Sequence, residues 1–109
     1  SALSAENRFD AAYKAIMQSA NAALQANGYR TLTSKPGHHQ TMIQSLPRTI
    51  GLDTQTMLLL DTLRKQRNVI DYSGEMVSAT MAGEAVKQAG LLIQQIICRL
   101  QENHPELLP

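Results

Sequence analysis

The sequence predicts an all-α fold, an up-and-down four-helix bundle of two long and two shorter helices. Three observations carry that reading. The apolar residues are mainly Ala, Leu, Ile and Met, with one Phe, three Tyr and no Trp. Small and straight-chain residues lose little rotamer freedom in a helix and favour it. These residues recur at steps of three and four, never in the strict alternation of a strand. Breakers fall between the periodic stretches, at Asn27-Gly28, Pro36-Gly37, Pro47, Gly74 and Pro105. Helices joined by short connections pack most economically as a bundle.

The first helix is predicted over 4–27, with Ser4 as N-cap; the pattern also allows an earlier start through Leu3. Phe9, Tyr13, Ile16, Met17, Ala20, Ala23 and Leu24 form its apolar stripe. Asn27-Gly28 stops it, because Gly accepts the left-handed conformation after a helix. Residues 29–37 read as a polar, mobile loop. A short helix follows over 38–45, with Met42, Ile43 and Leu46 on its apolar edge. Pro47 disfavours helical geometry at Leu46 and is expected to end it. The stretch 47–52 is a connector with room for one helical turn. Asp53 caps the next helix, which runs to Val69 or Ile70 and buries Met57, Leu60 and Leu63. Arg64, Lys65 and Arg67 are then expected in its last turns, where cations suit the helix dipole. Residues 71–74 form a turn. Ser78 caps the final helix, 79–103, whose stripe runs from Met81, Ala82, Ala85 and Val86 through Ala89, Leu92, Ile93, Ile96 and Ile97 to Leu100. Gly83 and Gly90 weaken that helix by up to ~1 kcal/mol each unless they allow close packing. The tail 104–109 is expected to fray.

The 109 residues make one domain over 1–109, able to bury a core without staples. The chain begins with Ser1, so a segment before it is expected to be missing or removed. The net charge of +1 argues against a strongly electrostatic nucleic-acid binder, which needs many unbalanced cations. No run approaches the ~18 apolar residues of a membrane span, and no signal peptide is visible. A lone cysteine, Cys98, excludes an internal disulfide and fits a reducing cytoplasm. Its apolar surroundings predict a buried thiol.

The residues that could carry chemistry centre on Arg67-Asn68-Val69-Ile70-Asp71-Tyr72. Arg67 could hold a phosphate bidentately. Asn68 could orient it, and Tyr72 could donate a proton or stack on a base. Asp71 and Arg64 complete this charged group. A plainer reading stands beside it. Arg67 and Asp71 are four residues apart and could form an ordinary helix ion pair, with Tyr72 packed against the bundle.

This segment resembles the signature of the HEPN domains, an Arg followed by Asn, Asp or His and then a His a few residues on. Arg67 and Asn68 match the first two positions; Tyr72 stands where the His is expected. The order of helices is also similar over nearly the whole chain. The resemblance implies a homodimer whose two Arg motifs share a cleft. It also implies RNA, DNA or nucleotide as ligand and an antitoxin as a possible partner, in a toxin–antitoxin or defence module. Many such domains are metal-independent RNases and others only bind. Imidazole exchanges protons near neutrality, whereas a phenol is a poor base there. Tyr72 therefore shifts the expectation from RNase toward a catalytically degenerate binder.

The alternative is an active metal-independent RNase in which Arg67 works with Tyr72 or His39 in place of the motif His; His38 and His39, at the start of the second helix, are the candidate substitute imidazoles. Placement at a helix N-terminus would favour anions and lower an imidazole's pKa. Here too one His could pack and the other cap. A metal site is not expected, since His38, His39 and His104 lack ligand spacing, and Asp71 or Glu75 could join them only through the geometry of the fold. No phosphate loop, dinucleotide fingerprint or nucleophile elbow is present, so no cofactor is expected. The remaining reading is a structural helix-bundle module that pairs with a partner helix.

Overall fold

The side chains described above organise into five helices in a computed structural model that describes residues 2–29, 37–73, 76–103 and 106. The side chains of residues 2, 3, 72 and 73 lie outside that description. The helices are α1 (Ala2–Ala26), α2 (His38–Gln44), α3 (Leu46–Ile50), α4 (Thr54–Ser73) and α5 (Ala79–Asn103). Three are long, at 25, 20 and 25 residues, and two are short, at 7 and 5. The all-α expectation holds, and no strand occurs among the described residues. None of these helices is long and apolar enough to cross a membrane.

The long helices differ in how they are held. α1 and α5 form the most extensive pair, while α4 meets mainly α2 and, less, α3. Phe9, Ile16, Ile43, Leu46, Leu60 and Leu92 are the largest fully buried side chains. They come from every helix except α3's far end, so one core joins α1, α2, α4 and α5 through Leu46 at the start of α3. The expected stripe of α1 is buried throughout, from Phe9 to Leu24.

Several boundaries depart from the sequence expectation. α1 starts at Ala2, so Ser4 lies inside the helix rather than capping it. Ala2-Leu3 are good helix formers and nothing before Ser4 breaks the helix. At the other end Gly28 adopts φ 84°, as its stop requires. Of the predicted loop 29–37, Tyr29 and Gly37 are described and lie outside any helix, and 30–36 lie outside the described residues. Pro47 does not end a helix; it sits in the first turn of α3, where a missing N–H costs nothing. Ser45 separates α2 from α3, and Gly51, at φ 69°, ends α3. Asp53 caps α4 as expected: its Oδ2 accepts the Thr56 N–H at 2.9 Å and its Oδ1 the Thr56 hydroxyl at 2.7 Å. α4 then continues through Asp71 and Tyr72 to Ser73, where a turn was expected. No Gly or Pro interrupts it before Gly74. Ser78 caps α5, accepting the Met81 N–H at 3.0 Å.

The α5 stripe is only half interior. Ala82, Ala85, Ala89, Leu92 and Ile96 are buried, but Val86, Ile93 and Ile97 are exposed. At about 100° per residue the ten predicted positions span more than one neighbouring helix can cover. Cys98, expected to be buried, is exposed on the same helix. Among the described residues Gly83 and Gly90 are not packing contacts: a Cβ at either would meet nothing within 4 Å.

Candidate functional site

α4 presents Arg64 and Arg67 toward α1 and α2, and α1 and α2 answer with side chains of their own. The Arg67 guanidinium pairs through Nη1 with the Oδ1 of Asp10 on α1. Its Nε donates to Asp71 Oδ2 at 3.3 Å. Its central carbon stands 5.8 Å from the ring centroid of Tyr13 on α1. That is within reach of a cation–π attraction, worth about 0.5–1 kcal/mol at a partly exposed site. The Tyr13 hydroxyl and His39 Nδ1 are hydrogen-bonded at 3.0 Å. The His38 and His39 rings meet edge to face with centroids 4.3 Å apart. The two segments singled out in the sequence, 38–39 and 64–72, therefore converge on one patch, with Tyr13 as the bridge.

Arg64 occupies the adjoining turn. Its Nε donates to Asp61 Oδ1 at 2.8 Å, and Lys65 Nζ lies 3.5 Å from Asp61 Oδ2. Hydrogen bonding from Arg64 holds the Asp61 carboxyl below the usual range against the opposing effect of burial. The group comprises three cations, Arg64, Lys65 and Arg67, and three carboxylates, Asp10, Asp61 and Asp71. It is formally neutral apart from the imidazoles. The cluster was expected in the last turns of α4, under the pull of the helix dipole. The helix runs six residues past Arg67, and the carboxylates, not the dipole, hold these cations.

The titrating groups are set by burial. Desolvation raises the Tyr13 phenol above its ordinary value, against the smaller pull of Arg64 and Arg67. Desolvation also lowers His39, followed by repulsion from His38, Arg64 and Arg67. The lowered imidazole matches the sequence expectation in direction, but its cause is this packing and these charges. It is neutral at pH 7, and one of its nitrogens is engaged by Tyr13.

The remaining predicted residues divide. Asn68 and Asp71 are exposed beside Arg67, and Asp71 forms the predicted ion pair with it. The Tyr72 side chain, like His104 and Glu75, lies outside the described residues. Among those described, no group of three His, Cys, Asp or Glu converges as metal ligands would. Sequence reasoning missed Asp10 and Tyr13. Tyr13 was read only as core, and it is core, 6% exposed, with its hydroxyl turned to the patch edge. Its signal was available: a buried tyrosine needs a partner for its O–H. Asp10 carried no such sign. Two open clefts lie elsewhere. One, of about 400 Å³, lies between α1 and α3 beside Arg48. The other, of about 420 Å³, lies between α4 and α5 beside Leu59 and Met81.

Arg67 is thus a partly buried, doubly paired guanidinium stacked near a phenol, with a neutral imidazole one hydrogen bond away. No family model, curated protein or solved structure matches the chain.

Proposed function

We propose that this chain is a HEPN-like domain that binds a nucleotide or nucleic acid at the Arg67 patch and is catalytically degenerate. It would act in the cytoplasm within a toxin–antitoxin or defence-type module, with an antitoxin as a partner. The observation that supports the reading most is the convergence of Arg64, Arg67, Tyr13 and His39 from three helices. Guanidinium and imidazole are groups that hold phosphate oxygens, and the buried Tyr13 phenol ties His39 to the Arg67 guanidinium. Arg67-Asn68 adds the match to the family's motif. Degeneracy follows from Tyr72 in the position of the motif His and from the carboxylates that already neutralise Arg67. An incoming phosphate must displace or share those pairings, which favours modest affinity over strong electrostatic capture.

The test is salt-dependent binding of single-stranded RNA and of nucleotides, by fluorescence anisotropy, without added metal. Arg67→Ala should weaken binding at least about tenfold, the loss of one charge-assisted pair. Circular dichroism should show the variant still folded. Binding indifferent to Arg67→Ala removes the proposal.

A second reading is a metal-independent RNase, favoured by one observation. His39 is held neutral beside Tyr13 and Arg67. A neutral imidazole could take the proton of a ribose 2′-hydroxyl as that oxygen attacks the adjacent phosphorus. The 5′-oxygen would leave with a proton from solvent and a 2′,3′-cyclic phosphate would remain. This reading requires cleavage in the presence of chelator that His39→Gln abolishes while RNA binding persists. Intact RNA after prolonged incubation leaves only the binder.

A further inference from the structure

We infer that the exposed face of α5 is a self-association surface on which two copies of this chain pair antiparallel. Along α5, Gly83, Val86, Gly90, Ile93, Ile97 and Leu100 follow one another at steps of three and four. Such a repeat keeps one seam on a helix facing a second helix. All but Leu100 are exposed, with Val86 at 48%, Ile93 at 37% and Ile97 at 42%. No charged residue interrupts the seam. A separate stripe of α5, from Ala82 to Ile96, already serves the core, and Leu100 at the seam's end packs partly against it; from Gly83 to Ile97 the seam is a second apolar face that the described residues leave exposed.

The glycines supply an independent observation. A glycine inside a helix costs about 1 kcal/mol relative to alanine. Gly83 and Gly90 incur that cost with open space where a Cβ would be, so no contact among the described residues requires them. Both lie on the seam, where the absence of a side chain admits a bulky group from a closely approaching helix.

The seam is complementary to itself only when reversed. Antiparallel pairing sets Gly83 opposite the partner's Leu100, Val86 opposite the partner's Ile97 and Gly90 opposite the partner's Ile93. Each glycine then receives a branched side chain, whereas parallel pairing would set glycine on glycine. The same register brings Lys87, the charge that flanks the seam, beside the partner's Gln94. The other register that matches glycines with bulky residues would set Lys87 against its own copy. Six seam residues a side are far fewer than the roughly 20–30 of a standard stable interface, which suits a reversible, concentration-dependent dimer. None of the Arg67 patch residues lies on α5, so this is not a cleft shared by two Arg67 side chains, and it stands independently of the proposed ligand.

Sedimentation equilibrium of the purified chain tests it. A reversible monomer–dimer equilibrium is expected at concentrations on the order of 100 µM. Ile93→Glu, at a position exposed in the single chain, should raise the dimer Kd at least tenfold with helicity unchanged. Gly90→Leu should do the same by filling the pocket. In a Cys98→Ser background, the double variant Gly90→Cys, Ile93→Cys should oxidise to a disulfide-linked dimer. A chain that stays monomeric overturns the inference, as does a dimer that survives both seam substitutions. A dimer lost instead on Arg67→Ala assigns association to the patch and overturns it too. Loss of RNA binding with an intact dimer, or the reverse, shows which of the two surfaces has failed.

Discussion

Arg67 is tied to carboxylates on two helices, and this limits it as an anion receptor. Its charge is answered by Asp10 and Asp71 before any ligand arrives. Both carboxylates are more than a third exposed, at 40% and 61%, so water screens the pairs and neither adds much stability. Asp10→Asn is therefore expected to cost less than about 1 kcal/mol in urea denaturation. The same change should tighten binding of a phosphate-bearing ligand about two- to fivefold, because one competing negative charge is gone. A purely structural Arg67 would show the stability change without the gain in affinity. His39 makes a second prediction at this scale. Its folded pKa lies below the ordinary 6.5, chiefly through burial and then through His38, Arg64 and Arg67. Between that lowered value and 6.5 the unfolded chain binds more protons than the folded one. The contribution of His39 to stability is therefore complete above pH 6.5 and is lost as pH falls through the window toward the folded midpoint. The melting temperature should decline across that window, and His39→Gln should flatten the decline. An NMR titration of the His39 ring should give a midpoint below that of an exposed histidine. The sequence identified Arg67 and His39 separately but could not join them. Their meeting depends on Tyr13, whose position in an apolar stripe says that it is buried and not what its hydroxyl touches.

Local chemistry decided which elements were legible. The caps Asp53 and Ser78 both act from the predicted positions, since a side chain that accepts an N–H three residues on is a short-range event. Asp53→Ala should lower stability and fray the first turn of α4. The measurement is chemical denaturation together with amide exchange at Thr56. Other signals were read less well: Ser4 lies inside α1, α4 passes through Asp71, and Pro47 opens α3, the one helical turn allowed for 47–52, although α2 does end beside it at Gln44. The periodicity of α5 was legible as helix but not as two faces. A stripe drawn from residue type alone merges the side that α1 covers with the side left open, and only packing separates Leu92 from Ile93. Gly83→Ala tests the open side at the level of the single chain. Measured at a concentration low enough to keep the chain monomeric, it should raise stability by up to about 1 kcal/mol. For a domain of this size that is roughly 4–8 °C in melting temperature. A fall in stability would mean that Gly83 packs closely within its own chain.

At the scale of the molecule the helices are unequally anchored. α1 and α5 share the largest contact, whereas α4 leans mainly on α2 and α3. Leu60 and Leu63 carry its burial, while Leu58, Leu59 and Val69 face outward. Local opening follows the least buried apolar contact, so α4 should open before the α1–α5 pair does. Native-state hydrogen exchange should then place the slowest amides in α1 and α5, around Ile16 and Leu92, and faster ones in the second half of α4. The Arg67 patch spans this division, because Asp10 and Tyr13 belong to α1, His39 to α2 and Arg67 to α4. A ligand that grips the whole patch binds only the closed arrangement and stabilises it in proportion to its concentration over Kd. At a hundredfold excess over Kd the opening of α4 should become costlier by about 2.7 kcal/mol, a roughly hundredfold slowing of its exchange. Amides of α1 and α5 that exchange only through global unfolding would slow by the same factor. Those of α1 and α5 that exchange through local fraying would not change. Slowing confined to α2, with α4 unaffected, would mean that the ligand touches the histidines alone and that Arg67 is an internal tie between α4 and α1.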